Sequence, residues 1–144
     1  MWLSGHGLSS HLNSAAQEWR QFTSLPARDK ARHAAVIYGQ SGYNGPGSEA
    51  VGRSEGGQAR ADPVESLESG YTEQFLGPFP RAETGYKGGD GLRDSCQRLY
   101  RAINSEVVRP CLGLASLALG MEEGELGRRW TEQGETAAQL RLAR

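Results

Sequence analysis

The chain has 144 residues, with 16 Lys and Arg against 17 Asp and Glu for a formal charge of -1, and hydrophobic residues make up 37% of it. That length suits one ordinary domain with a real core and excludes two comfortable ones, so residues 1–144 are read as a single unit. The near-neutral balance raises no field of one sign, which disfavours nucleic acid and membrane as partners, and the 20 glycines point to a modest core with long loops.

Leu8, Leu12, Ala15, Trp19 and Phe22 follow one another by steps of four and three, lining one face of a helix that Ser9 or Ser10 can cap. Ser24-Leu25-Pro26 ends it and begins a short basic helix from Ala27 to about Ala35. Ser24 is the expected N-cap there, and the proline falls in the first turn, where its missing N–H costs nothing. "AVIYG", Ala35–Gly39, suits a strand or the helix end. A long irregular region follows to about Gly91. Within it "PVESLESGY" reads as a short exposed strand, and "FLGPFPRAE", with Pro78 and Pro80, as an extended segment pinned by Phe75, Leu76 or Phe79.

The strongest periodicity is that of Leu92, Cys96, Leu99, Ile103, Val107, Cys111, Leu114 and Ala118. It predicts a helix of roughly eight turns with one buried stripe. Pro110 removes a backbone hydrogen bond and clashes with the preceding turn at a cost of about 3 kcal/mol, so a kink is expected near Val107. Gly120 ends the helix, "MEEGELGRRW" forms another, and "TAAQLRLAR" alternates Leu140 and Leu142 with Arg141 and Ala143 as a strand would. Cys96 and Cys111 stand roughly 22 Å apart on such a helix, too far to bridge. With no disulfide framework, no long apolar run and no basic start leading into an apolar segment, the chain is expected to be soluble and cytoplasmic.

Gly47 and Gly52-Arg53-Ser54 come within one side chain of the phosphate-loop pattern G-x-x-x-x-G-K-[ST]. Arg53 does not replace the lysine, and "EGGQARADP" puts two glycines and a proline where the loop's helix must start. A glycine-rich surface loop is the better reading. His6, His11 and His33 lack carboxylates or cysteines at ligand spacing, and His33, among basic residues, is expected to face solvent. Cys96 reads as a small buried apolar residue. Glu122-Glu123 reads as a helix first turn and Glu65 with Glu68 as a solvated strand edge, while Trp2, Trp19 and Trp130 read as core anchors. No catalytic residue and no metal ligand emerges.

Taken in order, these segments resemble the N-terminal region of the isopenicillin N synthase-like, non-haem Fe(II)/2-oxoglutarate-dependent dioxygenase superfamily, over nearly the whole chain. "WLSGHGL" is similar to an aromatic-aliphatic segment ending in His-Gly before a helix. "LNSAAQEWRQFTSLPARDKARHA" resembles the first long helix, its Leu-Pro closure and a charged second helix. "QSGYNGPGSEAVGRS" is similar to a Gly-Tyr, Pro, Gly, Glu segment, and "DPVESLESG" to the strand after it. "GLRDSCQRLYRAINSEVVRPCLGLASLALGM" looks like the long helix behind the barrel, and "QLRLAR" like a strand that runs on into Tyr-Pro.

The resemblance implies an α+β fold in which helices and a few strands form the N-terminal part of a double-stranded β-helix (jelly-roll) oxygenase, the barrel being incomplete in this chain. It implies an oxidoreductase whose full-length form holds Fe(II) with a His-x-Asp pair and a distant His, and 2-oxoglutarate with an Arg-x-Ser pair. Those parts lie past the sequence read here, which has no His-x-Asp. The expectation is therefore a chain without its own cofactor, not catalytic alone, supporting the barrel and lining the mouth for a small-molecule substrate near Gly42 and Tyr43. Met1 falls inside the first shared motif and the last residues inside a strand signal, so truncation at both ends is expected. Some members carry Asn where Ala143 stands and Arg where Gln40 stands, which leaves co-substrate and substrate class open. The alternative is a non-enzymatic helical binding or scaffold protein derived from that domain, whose unshared apolar stripe would lead to self-association.

Overall fold

In the computed structural model the chain is described over residues 4–34, 42–48, 50–51, 60–70, 89–133 and 139–144. Helix α1, Ser9–Thr23, buries Ala15, Trp19 and Phe22 on the face their spacing predicted, while Leu12 remains 43% exposed. Neither serine caps it. Leu8 holds the cap position, and its N–H is taken by His6 Nδ1 at 3.0 Å. Ser24 serves the end of α1, not the start of the next helix: its hydroxyl donates to the Arg20 carbonyl at 2.7 Å. Pro26 then stands at the N-cap of α2, Ala27–Lys30, which tightens into a 3-10 turn over Ala31–His33.

Three strands form an antiparallel sheet in the order β1 (Gly42–Asn44), β4 (Ser66–Gly70), β5 (Gln139–Ala143). A separate ribbon pairs β2, Ala50–Val51, with β3, Arg60–Ala61. The segment predicted as an exposed strand is thus the central one, and Glu65 and Glu68, expected at a solvated edge, are 8% and 6% exposed. Its weak alternation has a physical cause, since residues of both faces are buried there and a two-sided strand loses the polar-out signature.

Helix α3, Gly89–Ile103, lies against α1 through Leu92, Cys96, Leu99 and Tyr100. Gly91 faces α1, where a Cβ would come within 3.1 Å of the Glu18 carboxylate, the movable end of a flexible side chain. Ser14 and Ser95 bridge the two helices at 2.9 Å. The core gathers Trp19, Phe22, Tyr43, Leu67, Leu92 and Cys96, with Leu25, Leu140 and Leu142 at its margin. Burial pushes the Cys96 thiol up to about 12, and both cysteines are free, Cys111 being exposed.

The kink expected near Val107 is a single wide π turn over Asn104–Val108, after which Pro110 opens α4, Arg109–Ala118. The extra residue in the turn shifts the phase of the helix by about 100°. The stripe therefore does not continue. Cys111, Leu114 and Ala118, predicted buried, are exposed, and Ser116 is fully buried in their stead. The Asn104 amide braces the turn by donating to the Tyr100 carbonyl at 2.9 Å. Helix α5, Glu125–Gln133, folds back on α4, where Ser116 Oγ accepts the Leu126 N–H at 3.1 Å while donating to the Leu112 carbonyl at 2.9 Å.

The architecture is thus α+β. Strand β5 shows the alternation read from Leu140 and Leu142, both turned toward the core. Among the described residues no helix is long and apolar enough to cross a membrane. "AVIYG", Gly52-Arg53-Ser54, "FLGPFPRAE" and Trp2 lie outside the described residues.

Candidate functional site

Cross-strand partners share a sheet face, and successive residues alternate between faces. The register pairs Tyr43 with Leu67 and Leu67 with Leu142, which defines an inner face toward the core. Gly42, Glu68 and Arg141 form one row of the outer face, and Asn44, Ser66 and Ala143 form the next. The two faces carry different chemistry.

On the inner side Glu65 gathers a buried cluster. Lys30 Nζ donates to Glu65 Oε2 at 2.6 Å and to the Thr23 carbonyl at 3.2 Å. The Tyr43 hydroxyl donates to the same carboxylate oxygen at 2.7 Å, and the Lys30 ammonium stands 5.7 Å from the Tyr43 ring centre. Arg144 closes the far side: its backbone exchanges two hydrogen bonds with Glu65, at 3.0 and 3.1 Å, and its guanidinium donates to Thr23 Oγ1 at 3.1 Å. Burial by itself would raise the Glu65 carboxyl. The hydrogen bonds from Lys30 and Tyr43, with the charges of Lys30 and Arg144, outweigh that and hold it below its ordinary value. The Tyr43 phenol is pushed up, by burial first and then by its bond to Glu65. This arrangement ties α2, β1, β4 and the end of β5 together, and it functions as a clasp.

His33 lies beside this core and not in solvent, at 2% exposure, with its ring edge-on to Phe22 at 5.7 Å. The 3-10 turn puts it there, as the next residue, Ala34, bridges directly to Tyr43. Burial, then the Arg32 charge, lowers its affinity for a proton. The pH dependence follows in two windows. The unfolded chain binds a proton at His33 below about 6.5 while the folded one resists it, so stability falls as pH descends from 6.5 through the lowered folded value. Glu65 adds a second loss below 4.5, as its clasped carboxylate is forced to protonate. Urea midpoints measured from pH 8 to pH 3 should show both, and His33→Gln should remove the upper one alone.

The outer face is polar and covered. Asn44, Ser66 and Glu68 are 5%, 1% and 6% exposed. Asn44 Nδ2 and Ser66 Oγ, side by side in the register, have no hydrogen-bond partner. The Glu68 carboxylate stands 3.5 Å from the Arg141 guanidinium, whose side chain is 44% exposed. Gly42, opposite Glu68, has φ 131°, a conformation that disfavours any side chain, and contributes none to this face. The two positions expected near a substrate mouth thus part company: Gly42 belongs to the outer face and Tyr43 points inward to the clasp. Asn44 and Ser66 are not singled out by the sequence, Glu68 is read there only as part of a solvated strand edge, and Arg141 only as an outward position of the last strand. The signal for them was the alternation of polar residues around Leu67 in "ESLES", read as exposure.

Among the described residues no group of three or more His, Cys, Asp or Glu is placed to hold a metal ion. His6 spends Nδ1 on the Leu8 amide and His33 is packed in the core, so these residues do not fit a two-His-one-carboxylate iron set. No family model, curated protein or solved structure matches the chain.

Proposed function

We propose that this chain is the N-terminal region of an Fe(II)- and 2-oxoglutarate-dependent oxygenase of the isopenicillin N synthase-like kind. In this reading it supports the barrel and provides one wall of the substrate mouth, and it is not catalytic alone. The observation that carries the proposal is the sheet β1-β4-β5, in which three of the resembling segments lie side by side with a packed inner face and a polar outer face. A fourth segment, "LPARDK", supplies Lys30 to the clasp beneath. Such a wall needs its inner face fixed to helices, and the bonds of Lys30 to Glu65 and Thr23 support that part of the reading. Sequencing the transcript past Arg144 tests the reading. A continuation with a His-x-Asp pair and a distant His supports it, and a transcript without them overturns it.

The scaffold reading is favoured by a separate observation, the leucines of α4 and its end, with Leu114 69%, Leu117 53% and Leu119 69% exposed. A chain that closes this face on itself sediments as a folded oligomer, and replacing Leu114 and Leu117 by Gln returns it to a monomer. Sedimentation velocity of both forms separates the two readings.

A further inference from the structure

Helix α4 is packed on one side. Ser116 faces α5 and is fully buried, whereas Leu114 and Leu117 turn away from it and are 69% and 53% exposed. Pro110, Cys111 and Ala118 share the leucines' side at helical spacing and are exposed as well, and a Cβ at Gly113 would meet nothing within 4 Å. From Pro110 to Met121 the sequence holds no charged residue. Charges of opposite sign stand at the two ends, Arg109 before and Glu122-Glu123 after. A contiguous apolar face with a charged rim marks an interaction site.

We infer that α4 docks antiparallel on α4 of a second copy of this chain, about a two-fold axis level with Ser116. This rests on the scaffold reading of the exposed leucines and names its partner and register. Steps of three and four from Cys111 through Leu114 and Ala118 to Met121 define one seam. Met121 stays with it although the helix stops at Ala118, because its N–H returns to the Ser116 carbonyl at 2.9 Å and that of Gly120 to the Leu117 carbonyl at 3.0 Å. Turning a second seam about the axis sets Leu114 opposite Ala118, Leu117 opposite Ala115 and Cys111 opposite Met121. Each exposed leucine within the helix thus meets a small side chain, the alternation that lets two faces interdigitate. Parallel pairing would instead set Leu114 against Leu114 and Arg109 against Arg109. The antiparallel pair opposes the two helix dipoles and brings Arg109 of one copy toward Glu123 of the other. A face that is uncharged and about 15 Å long offers an unrelated protein little to recognise, whereas a two-fold axis counts every leucine twice. The dimer is therefore expected to be weak and concentration-dependent.

The test is disulfide formation in the full chain under mild oxidation, followed with sedimentation velocity. Cys96 is buried, so Cys111 is the thiol that reacts. In this register the two copies of Cys111 stand ten residues apart along the pair, about 15 Å, too far to bridge. The parent chain should dimerise without cross-linking. Met121→Cys should cross-link Cys111 of one copy to position 121 of the other, and Met121→Cys combined with Cys111→Ser should not cross-link. Ala118→Leu separates this packing from general stickiness: it enlarges the apolar face, yet it sets a leucine against Leu114 and should weaken the dimer about five- to thirtyfold. An Ala118→Leu chain that associates more tightly, a Cys111–Cys111 cross-link in the parent, or a Met121→Cys chain that dimerises without cross-linking overturns the inference and leaves the scaffold reading standing. A chain that stays monomeric up to millimolar concentration overturns both.

Discussion

Lys30→Met is expected to lower the unfolding free energy by about 3–5 kcal/mol, the range for a buried ion pair that loses one partner. The substitution keeps most of the side chain's length and apolar stem, so little packing is lost. What it leaves behind is the Glu65 carboxylate, with a side chain only 11% exposed and without the ammonium 2.6 Å away. Tyr43 and Arg144 remain near it, which is why the loss is not larger. The pair as a whole need not stabilise the fold by that amount, because both charges gave up water to form it. Combining Lys30→Met with Glu65→Gln separates the two effects: Gln is neutral and can still accept the Tyr43 hydroxyl, so the double variant should recover most of the loss. Urea denaturation of the four proteins gives the coupling directly. A Lys30→Met midpoint within error of the parent would mean that the pair is solvated and that the clasp does not hold the helices to the sheet.

That clasp shows where sequence reasoning stopped. Periodicity found α1, the first half of the long helix and the alternation of β5, because each is a local pattern of burial on one face. It did not find the role of Glu65, since the partner that makes its burial tolerable is 35 residues away in sequence. An acidic residue beside a glycine-rich region was read as solvated for want of that partner, and Glu68 with Arg141 was lost the same way. The basic neighbours of His33 point it to solvent in the sequence, whereas a 3-10 turn, with three residues per turn, sets it on the same buried side as Lys30. Pro110 was legible as a disturbance. That the helix would absorb it by inserting a residue over Asn104–Val108 is not written in the spacing of apolar residues; the exposed Leu114 follows from that one step.

Phe22→Ala should destabilise the chain to a similar extent, about 3–5 kcal/mol for a buried aromatic truncated to a methyl. Phe22 is fully buried and touches three other rings: Trp19 stacked at 5.7 Å, His33 edge-on at 5.7 Å and Tyr43 edge-on at 5.3 Å. Its loss therefore reaches both sides of the site. Tyr43 is steadied on one side by Phe22 and presents its hydroxyl to Glu65 on the other, so a cavity beside it loosens the clasp as well as the core. His33 loses part of the burial that lowers its proton affinity, and its titration should rise toward 6.5. Three readouts then move together in this variant: the urea midpoint, the near-ultraviolet signal of Trp19 and the titration of the His33 ring. Leu12→Ala is the control, since Leu12 lies on the same helix but is 43% exposed and should lose far less. Equal costs for Phe22→Ala and Leu12→Ala would remove Phe22 from the centre of the fold, and with it the mechanical link between helix α1 and the sheet that carries the candidate site.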